Sequence, residues 1–204
     1  MRLMPCADSG LLVEMSDMDE VLALYSHLDE DLPDGVIDMV PAATTLLLTI
    51  DRAVTDVERL ARAVSGISVG THHRATAGEV EIPVVYDGAD LSEVARLTGL
   101  AEREVIEAHT GTPWTVAFCG FAPGFGYMVG GDERLQVPRR DNPRTKVPPG
   151  SVALAGEFAS VYPRESPGGW QLIGRTALQV WDIQREPPAL LVPGTVVRYV
   201  ETAA

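Results

Sequence analysis

Apolar and polar positions along this chain follow two different rhythms, and the change between them divides it. Near the start, Gly10–Met15 (GLLVEM) is an apolar run of buried-strand length. Ser16 and Asp17 then offer an N-cap, and Val21, Leu24, Tyr25 and Leu28 fall at i, i+3, i+4 and i+7 on one helix face. The turn signal Leu32-Pro33-Asp34-Gly35 ends that helix. Val36–Val40 and Thr44–Ile50 read as two strands around Pro41. Thr55 and Asp56 cap a second helix, whose Val57, Leu60, Ala61 and Val64 share a face. A further strand is expected within Val69–Ala75. The order strand, helix, strand, strand, helix, strand is that of a split βαβ, ferredoxin-like unit, a small α+β domain.

The polar stretch Thr76-Ala77-Gly78 closes this first rhythm, so the sequence predicts an α+β domain over residues 1–78 and a second domain over 79–204. EVEIPVVYD opens the second with a strand pattern. Asp90–Leu97 and Ala101–His109 are two short helices joined at Thr98-Gly99-Leu100. Glu93, Glu102, Glu104 and Glu107 would face the phosphates if this pair read DNA, so it is a structural hairpin. After Trp114 the texture changes. The 59 residues from Phe118 to Thr176 contain ten glycines and seven prolines, with β-rich runs between them: SVALAG, SVYP, WQLIGRT, ALQVWDI and, later, TVVRYV. Short strands with such punctuation predict a barrel or sandwich with long irregular loops, the usual home of binding chemistry.

Composition adds limits. The chain has 204 residues, 46% of them hydrophobic, enough for a real core. Its net charge of −13 repels phosphate backbones and anionic membranes, which argues against nucleic-acid and lipid partners. The charge is uneven. Residues 1–66 hold thirteen acids and four bases, whereas 118–176 hold five acids and seven bases. That local reversal points to an anionic ligand or an acidic partner. The opening MRLMPCADSG has no signal-peptide pattern and no stretch approaches 18 apolar residues, so a cytoplasmic location is expected. Two cysteines make no disulfide framework.

Several patterns imitate active sites. Gly66-Ile67-Ser68-Val69-Gly70 matches a nucleophile elbow in letters, but the helix precedes the serine instead of following it. His72 and His73 are adjacent, so on a strand they point to opposite faces, and no further ligands stand at metal spacing. No metal site is expected. Cys119 lies in an apolar strand and reads as core. No phosphate-binding loop of Walker type exists, so no cofactor is expected to be bound by a motif of this chain.

Three segments carry more. Cys119–Met128 (CGFAPGFGYM) holds Phe121, Phe125 and Tyr127 on a sharply turning loop with Pro123 and Gly124, a pocket or interface pattern. Val137–Pro149 (VPRRDNPRTKVPP) pins Arg139, Arg140, Arg144 and Lys146 among prolines, and rigid guanidiniums suit carboxylate or phosphate recognition. Val161–Thr176 (VYPRESPGGWQLIGRT) has a tight turn with Gly168 and Gly169 that delivers Trp170 into a core or pocket, offers Tyr162 as a further pocket or interface residue, and ends on Arg175 and Thr176. Arg139, Arg144, Arg175 and Thr176 are the expected substrate contacts. His109 closes the second short helix; its ordinary pKa fits proton transfer, and its place at a helix C-terminus fits a structural role equally.

With ADSGLLVEM, VPAATTLLLTI, IPVVYDGADLSEVARLTGL, VIEAHTG and LLVPGTVVRYV, these segments give a chain that resembles the KipI family, also named allophanate hydrolase subunit 1, and within it the branch of prokaryotic 5-oxoprolinase B subunits. The resemblance covers nearly the whole sequence. It implies an α+β N-terminal domain followed by a cyclophilin-like β-barrel domain. It also implies a hetero-oligomer with an allophanate hydrolase subunit 2-like protein (the C subunit of 5-oxoprolinase) and with the A subunit. Together these open 5-oxo-L-proline to L-glutamate while consuming ATP, and this chain alone would be inactive. Other branches imply two alternatives: a component of urea carboxylase or allophanate hydrolase type, and an inhibitor of a histidine kinase. The sequence departs from the family at Cys6-Ala7-Asp8 and at Glu157-Phe158, where an added carboxylate bears on the substrate rather than the fold.

Overall fold

The computed structural model describes residues 1–67 and 77–203. The chain forms two compact units, Met1–Ala75 and Thr76–Ala204. The strand expected at Val69–Ala75 lies outside the described residues, as do Ser68, His72 and His73.

In the first unit, strands β1 (Arg2–Cys6), β2 (Gly10–Glu14), β3 (Val36–Pro41) and β4 (Thr45–Ile50) form one sheet in the order β1-β2-β4-β3. β4 is antiparallel to both β2 and β3. Helix α1 (Met18–Glu30) joins β2 to β3, so a strand is inserted between two parallel ones, the split βαβ arrangement that the hydrophobic rhythm predicts. The caps are local. Asp17 accepts from the Glu20 amide at 2.9 Å, and Glu20 accepts from the Ser16 amide at 2.9 Å. Asp56 accepts from the Arg59 amide at 2.7 Å and starts helix α2 (Val57–Ser65). Leu24, Leu28, Leu60 and Val64 pack on Leu11, Val13, Leu46 and Leu48 of the sheet. β1 was not expected; it pairs with β2 across a turn at Ala7, whose φ of 55° is left-handed.

The second unit is an α-capped, nearly closed barrel, the cyclophilin-like domain. Its strands are β5 (Glu79–Val84), β6 (Trp114–Cys119), β7 (Gly126–Val129), β8 (Arg144–Val147), β9 (Ser151–Ala155), β10 (Phe158–Val161), β11 (Ser166–Gly168), β12 (Gln171–Arg175) and β13 (Val196–Glu201). Seven of them run in the order β12-β9-β10-β7-β6-β13-β5, and a Val85–Arg175 bridge ties the two ends of that order together. β8 and β11 form a separate ribbon. Every residue of β9 is buried. Val152 and Leu154 enter the barrel core, while Ala153 and Ala155 face a second, aromatic cluster on the other side. Helices α3 (Leu91–Thr98) and α4 (Glu102–Gly111) pack against the barrel core through Val94, Val105 and Ile106.

The run ALQVWDI does not form the expected strand. It is a loop with a single bridge, Trp181 to Ala189, and Arg185 gathers it by donating to the carbonyls of Gln179 at 3.0 Å and Pro188 at 2.8 Å. Pro187 and Pro188 have no N–H for a ladder, so a side chain satisfies these carbonyls instead of a neighbouring strand. No helix among the described residues is long and apolar enough to cross a membrane.

Candidate functional site

The glycine-aromatic loop connects β6 to β7. Phe121 (φ 66°) and Gly124 (φ 81°) take left-handed conformations, and a Cβ on Gly124 would lie 2.6 Å from the Trp181 Cβ. This turn folds Phe125 inward. Its ring meets those of Phe121 at 5.1 Å, Tyr127 at 5.1 Å, Tyr162 at 5.3 Å and Trp170 at 5.4 Å, largely edge to face. The structure thus brings together five aromatics drawn from two sequence segments, Cys119–Met128 and Val161–Thr176. Gly168 permits it: a Cβ there would collide with the Tyr162 hydroxyl. Burial raises the pKa of both Tyr127 and Tyr162, and the charge of Arg139 opposes that at each. Phe121 stays 57% exposed and, with Pro123, Trp181 and Leu191, lines an open apolar groove of about 570 Å³.

The arginines sort themselves by partner. Gly88 lies so close to β12 that a Cβ would overlap the backbone of Ile173 and Gly174, and this contact seats Asp90 at the start of α3, beside Leu172. Asp90 is 2% exposed. It accepts two hydrogen bonds from Arg144, both at 2.8 Å, one from Arg140 at 2.5 Å and one from the Leu172 amide at 2.7 Å. Burial pushes its pKa up, but the Arg144 and Leu172 hydrogen bonds and the two guanidinium charges outweigh this and hold it below the usual carboxylate value. Arg175 pairs with Asp87 at 2.9 Å on an exposed surface. Arg139 makes no ion pair among the described residues and lines a polar cleft of about 460 Å³. Gly169 accepts from the Arg140 amide at 2.7 Å, which fixes the arginine loop to the Ser-Pro-Gly-Gly turn. Thr176 stands apart, in a smaller cleft of about 300 Å³ shared with Tyr162 and Pro149.

His109 is not at this surface. It has no solvent exposure, and its Nδ1 lies 2.7 Å from the Tyr86 hydroxyl. Its ring stacks on Tyr199 at 4.1 Å and tilts against Trp114 at 5.4 Å, while Nε2 has no hydrogen-bond partner. Desolvation pushes its pKa down to about 3, so the imidazole is neutral. Of the two roles that the sequence leaves open for His109, this sealed position among aromatic rings supports the structural one. Sequence reasoning missed Asp90, Asp87, Tyr86 and Gln171. For Asp90 a signal existed, since an acid at a helix start with arginines elsewhere in the domain suggests a pair; its partner was not readable. Among the described residues, no three His, Cys, Asp or Glu side chains group as a metal would require.

The profile of the carboxyltransferase domain, subdomain C and D, matches residues 1–191. The chain is 36% identical over 195 residues to the 5-oxoprolinase B subunit of Bacillus subtilis (strain 168), covering 88% of this chain and 81% of that relative. It is 50% identical over 124 residues to the 5-oxoprolinase B subunit of Escherichia coli O157:H7, covering 59% of this chain and 57% of that relative. The crystal structure of TTHA0988 superposes with a TM-score of 0.80 at 36% identity, over 96% of this chain and 40% of that one. The match thus spans little more than half of the E. coli relative and less than half of TTHA0988.

Proposed function

The chain belongs to the family of the carboxyltransferase domain, subdomain C and D, and from that premise we propose that it is the B subunit of an ATP-dependent 5-oxoprolinase. The observation that carries this reading is the 36% identity to a 5-oxoprolinase B subunit across 88% of the chain, which includes the glycine-aromatic loop and the arginine loop.

The reaction adds water across the lactam C–N bond of 5-oxo-L-proline and yields L-glutamate. An unstrained amide is stabilised by resonance, so ring opening is coupled to ATP hydrolysis in the assembly. The chain works with the A subunit and with the C subunit, its direct partner, in the cytoplasm, and does not turn over alone. Arg139 takes the substrate carboxylate; what supports this choice is that Asp90 engages Arg144 and Asp87 engages Arg175. The exposed Phe121 and the apolar groove beside it meet the C subunit.

The test is glutamate release from 5-oxoproline and ATP, with this chain alone and then with the A and C subunits. The expected result is no release alone, release in the full mixture, and loss when this chain is omitted. A well-folded full mixture that releases no glutamate overturns the reading.

A further inference from the structure

Large apolar side chains are spread unevenly over the surface of this protein. Among the described residues nine are exposed, and four of these, Leu32, Ile37, Val40 and Val54, lie along one edge of the first unit, each 42% to 65% exposed. β3 is the last strand of its sheet, so one of its sides has no neighbour. Leu32 stands just ahead of the turn that leads into β3, and Val54 lies on that turn, since a Cβ on Gly35 would be 3.1 Å from the Val54 Cβ. Ile37 is a bulge residue: Val36 pairs with Ile50 and Asp38 with Thr49, which leaves Ile37 unmatched. A single exposed apolar residue needs no explanation, but four along one edge mark a contact surface.

The rim of this surface is acidic. Residues 29–41 contain Asp29, Glu30, Asp31, Asp34 and Asp38, with no Lys, Arg or His. All five are exposed, and none of them makes an ion pair among the described residues. The opposite edge of the same sheet differs, because there Arg2 of β1 pairs with Glu14. The β3 edge therefore presents uncompensated negative charge around an apolar strip, and the matching surface is apolar with a basic border.

The occupant follows by elimination. A second copy would set the same five carboxylates against each other. An added strand meets three obstacles: the bulge at Ile37, the missing N–H of Pro41, and the Met39 amide, which already donates to the Asp38 carboxylate at 2.9 Å. The side chains remain open, and a helix engages side chains without needing the backbone of β3. The six residues of β3 span roughly 17 Å, the length of about eleven helical residues. We propose that the β3 edge docks an amphipathic helix of another protein, its apolar face on Leu32, Ile37, Val40 and Val54 and its lysines or arginines against the surrounding carboxylates. The inference stands apart from the 5-oxoprolinase reading, whose residues all lie in the second unit.

Fluorescence anisotropy with the full chain tests this, using a labelled 15-residue helical peptide with leucines at i, i+3, i+4 and i+7 and lysines on either side of them. Three further peptides serve as comparisons: the same residues in scrambled order, the helix with glutamate for lysine, and alternating valine and lysine, which can add only as a strand. The expected result is saturable binding of the basic helix, weakened by salt, and affinity at least about tenfold lower for the other three. Ile37→Ser with Val40→Ser is expected to weaken binding about tenfold. Asp34→Asn with Asp38→Asn is expected to do the same, and asparagine keeps an acceptor for the Met39 amide. All four side chains are exposed, so the urea midpoint of each variant should stay close to that of the unmodified chain. Loss of two charges in the other unit, Glu102→Gln with Glu157→Gln, should leave binding unchanged. Equal weakening by that pair would mean that net charge alone attracts the peptide, and it overturns the proposal. So does the absence of saturable binding, a strand peptide bound as tightly as the helix, or a dimer in sedimentation that the Ile37 and Val40 substitutions dissolve, which would give the edge to a second copy.

Discussion

Asp90, at 2% exposure, and His109, at 0%, are both buried in the barrel unit, and they meet the cost of burial in opposite ways. Asp90 stays charged because hydrogen bonds from Arg144, Arg140 and the Leu172 amide replace the water it has lost. His109 stays neutral because its surroundings offer three aromatic rings and one hydroxyl, and a charge there would have no counterpart. The contrast separates two meanings of a buried titratable group. Where polar partners converge from distant segments, the fold has organised a charge and fixed the orientation of long cations beside a cleft. Where aromatics converge, the fold has used a histidine as a flat, half-polar core residue, and its titration is a matter of stability.

The comparison breaks most severely at Asp90. Asp90→Ala leaves two guanidiniums and a buried amide without their acceptor, and the expected loss is about 3–5 kcal/mol, read as a lower urea midpoint with an unchanged slope. Arg144→Ala should cost less, because Arg140 and the Leu172 amide still satisfy the carboxylate. Equal losses for the two would mean that Asp90 is not the hub. Acid acts on both groups, in separate windows. The folded pKa of His109, about 3, lies below its ordinary 6.5, so between these values the unfolded chain binds a proton that the folded chain refuses. Stability contributed by the neutral imidazole is therefore complete above pH 6.5 and falls with pH, at up to about 1.4 kcal/mol per pH unit. Asp90, also depressed, adds its own loss only below its ordinary 3.8. The double substitution His109→Phe with Tyr86→Phe removes both members of the buried hydrogen bond and should flatten the curve between pH 6 and about 4 while leaving the fall below pH 4 in place. A wild-type curve already flat in that range would mean that His109 is protonated in the fold.

How much of this was legible follows from the range of each signal. Among the described residues, the first unit was readable almost throughout, because helix caps and the i, i+3, i+4, i+7 faces of α1 and α2 are local; β1, a short polar-edged strand that pairs with β2, gave no pattern of its own. In the barrel, the glycine-aromatic and arginine segments could be picked out as unusual, yet their assembly could not. Phe125 meets Tyr162 and Trp170, and Asp90 meets Arg140 and Arg144, only through the antiparallel neighbours of β9 and the contact of Gly88 with β12. His109 stayed ambiguous for a related reason. Its position at the end of α4 is a sequence fact, whereas the rings that enclose it come from Tyr86, Trp114 and Tyr199, three separate strands or loops.

The smallest effect sharpens the same comparison from its exposed side. Arg175 and Asp87 form a pair at 2.9 Å, only slightly longer than the contacts at Asp90, but their side chains are 59% and 47% exposed. Water already solvates both ions, salt screens them, and holding two side chains in one geometry costs entropy. Arg175→Ala should therefore change unfolding stability by no more than about 1 kcal/mol, and less in high salt. A loss comparable to that of Asp90→Ala would mean that ion-pair geometry, and not burial, sets these energies, and the contrast between the two sites would fail. If instead stability holds while glutamate release by the full assembly falls, Arg175 acts on the substrate or on a neighbouring protein of the complex, and its bond to Asp87 is the resting position of a group that exchanges partners when the assembly works.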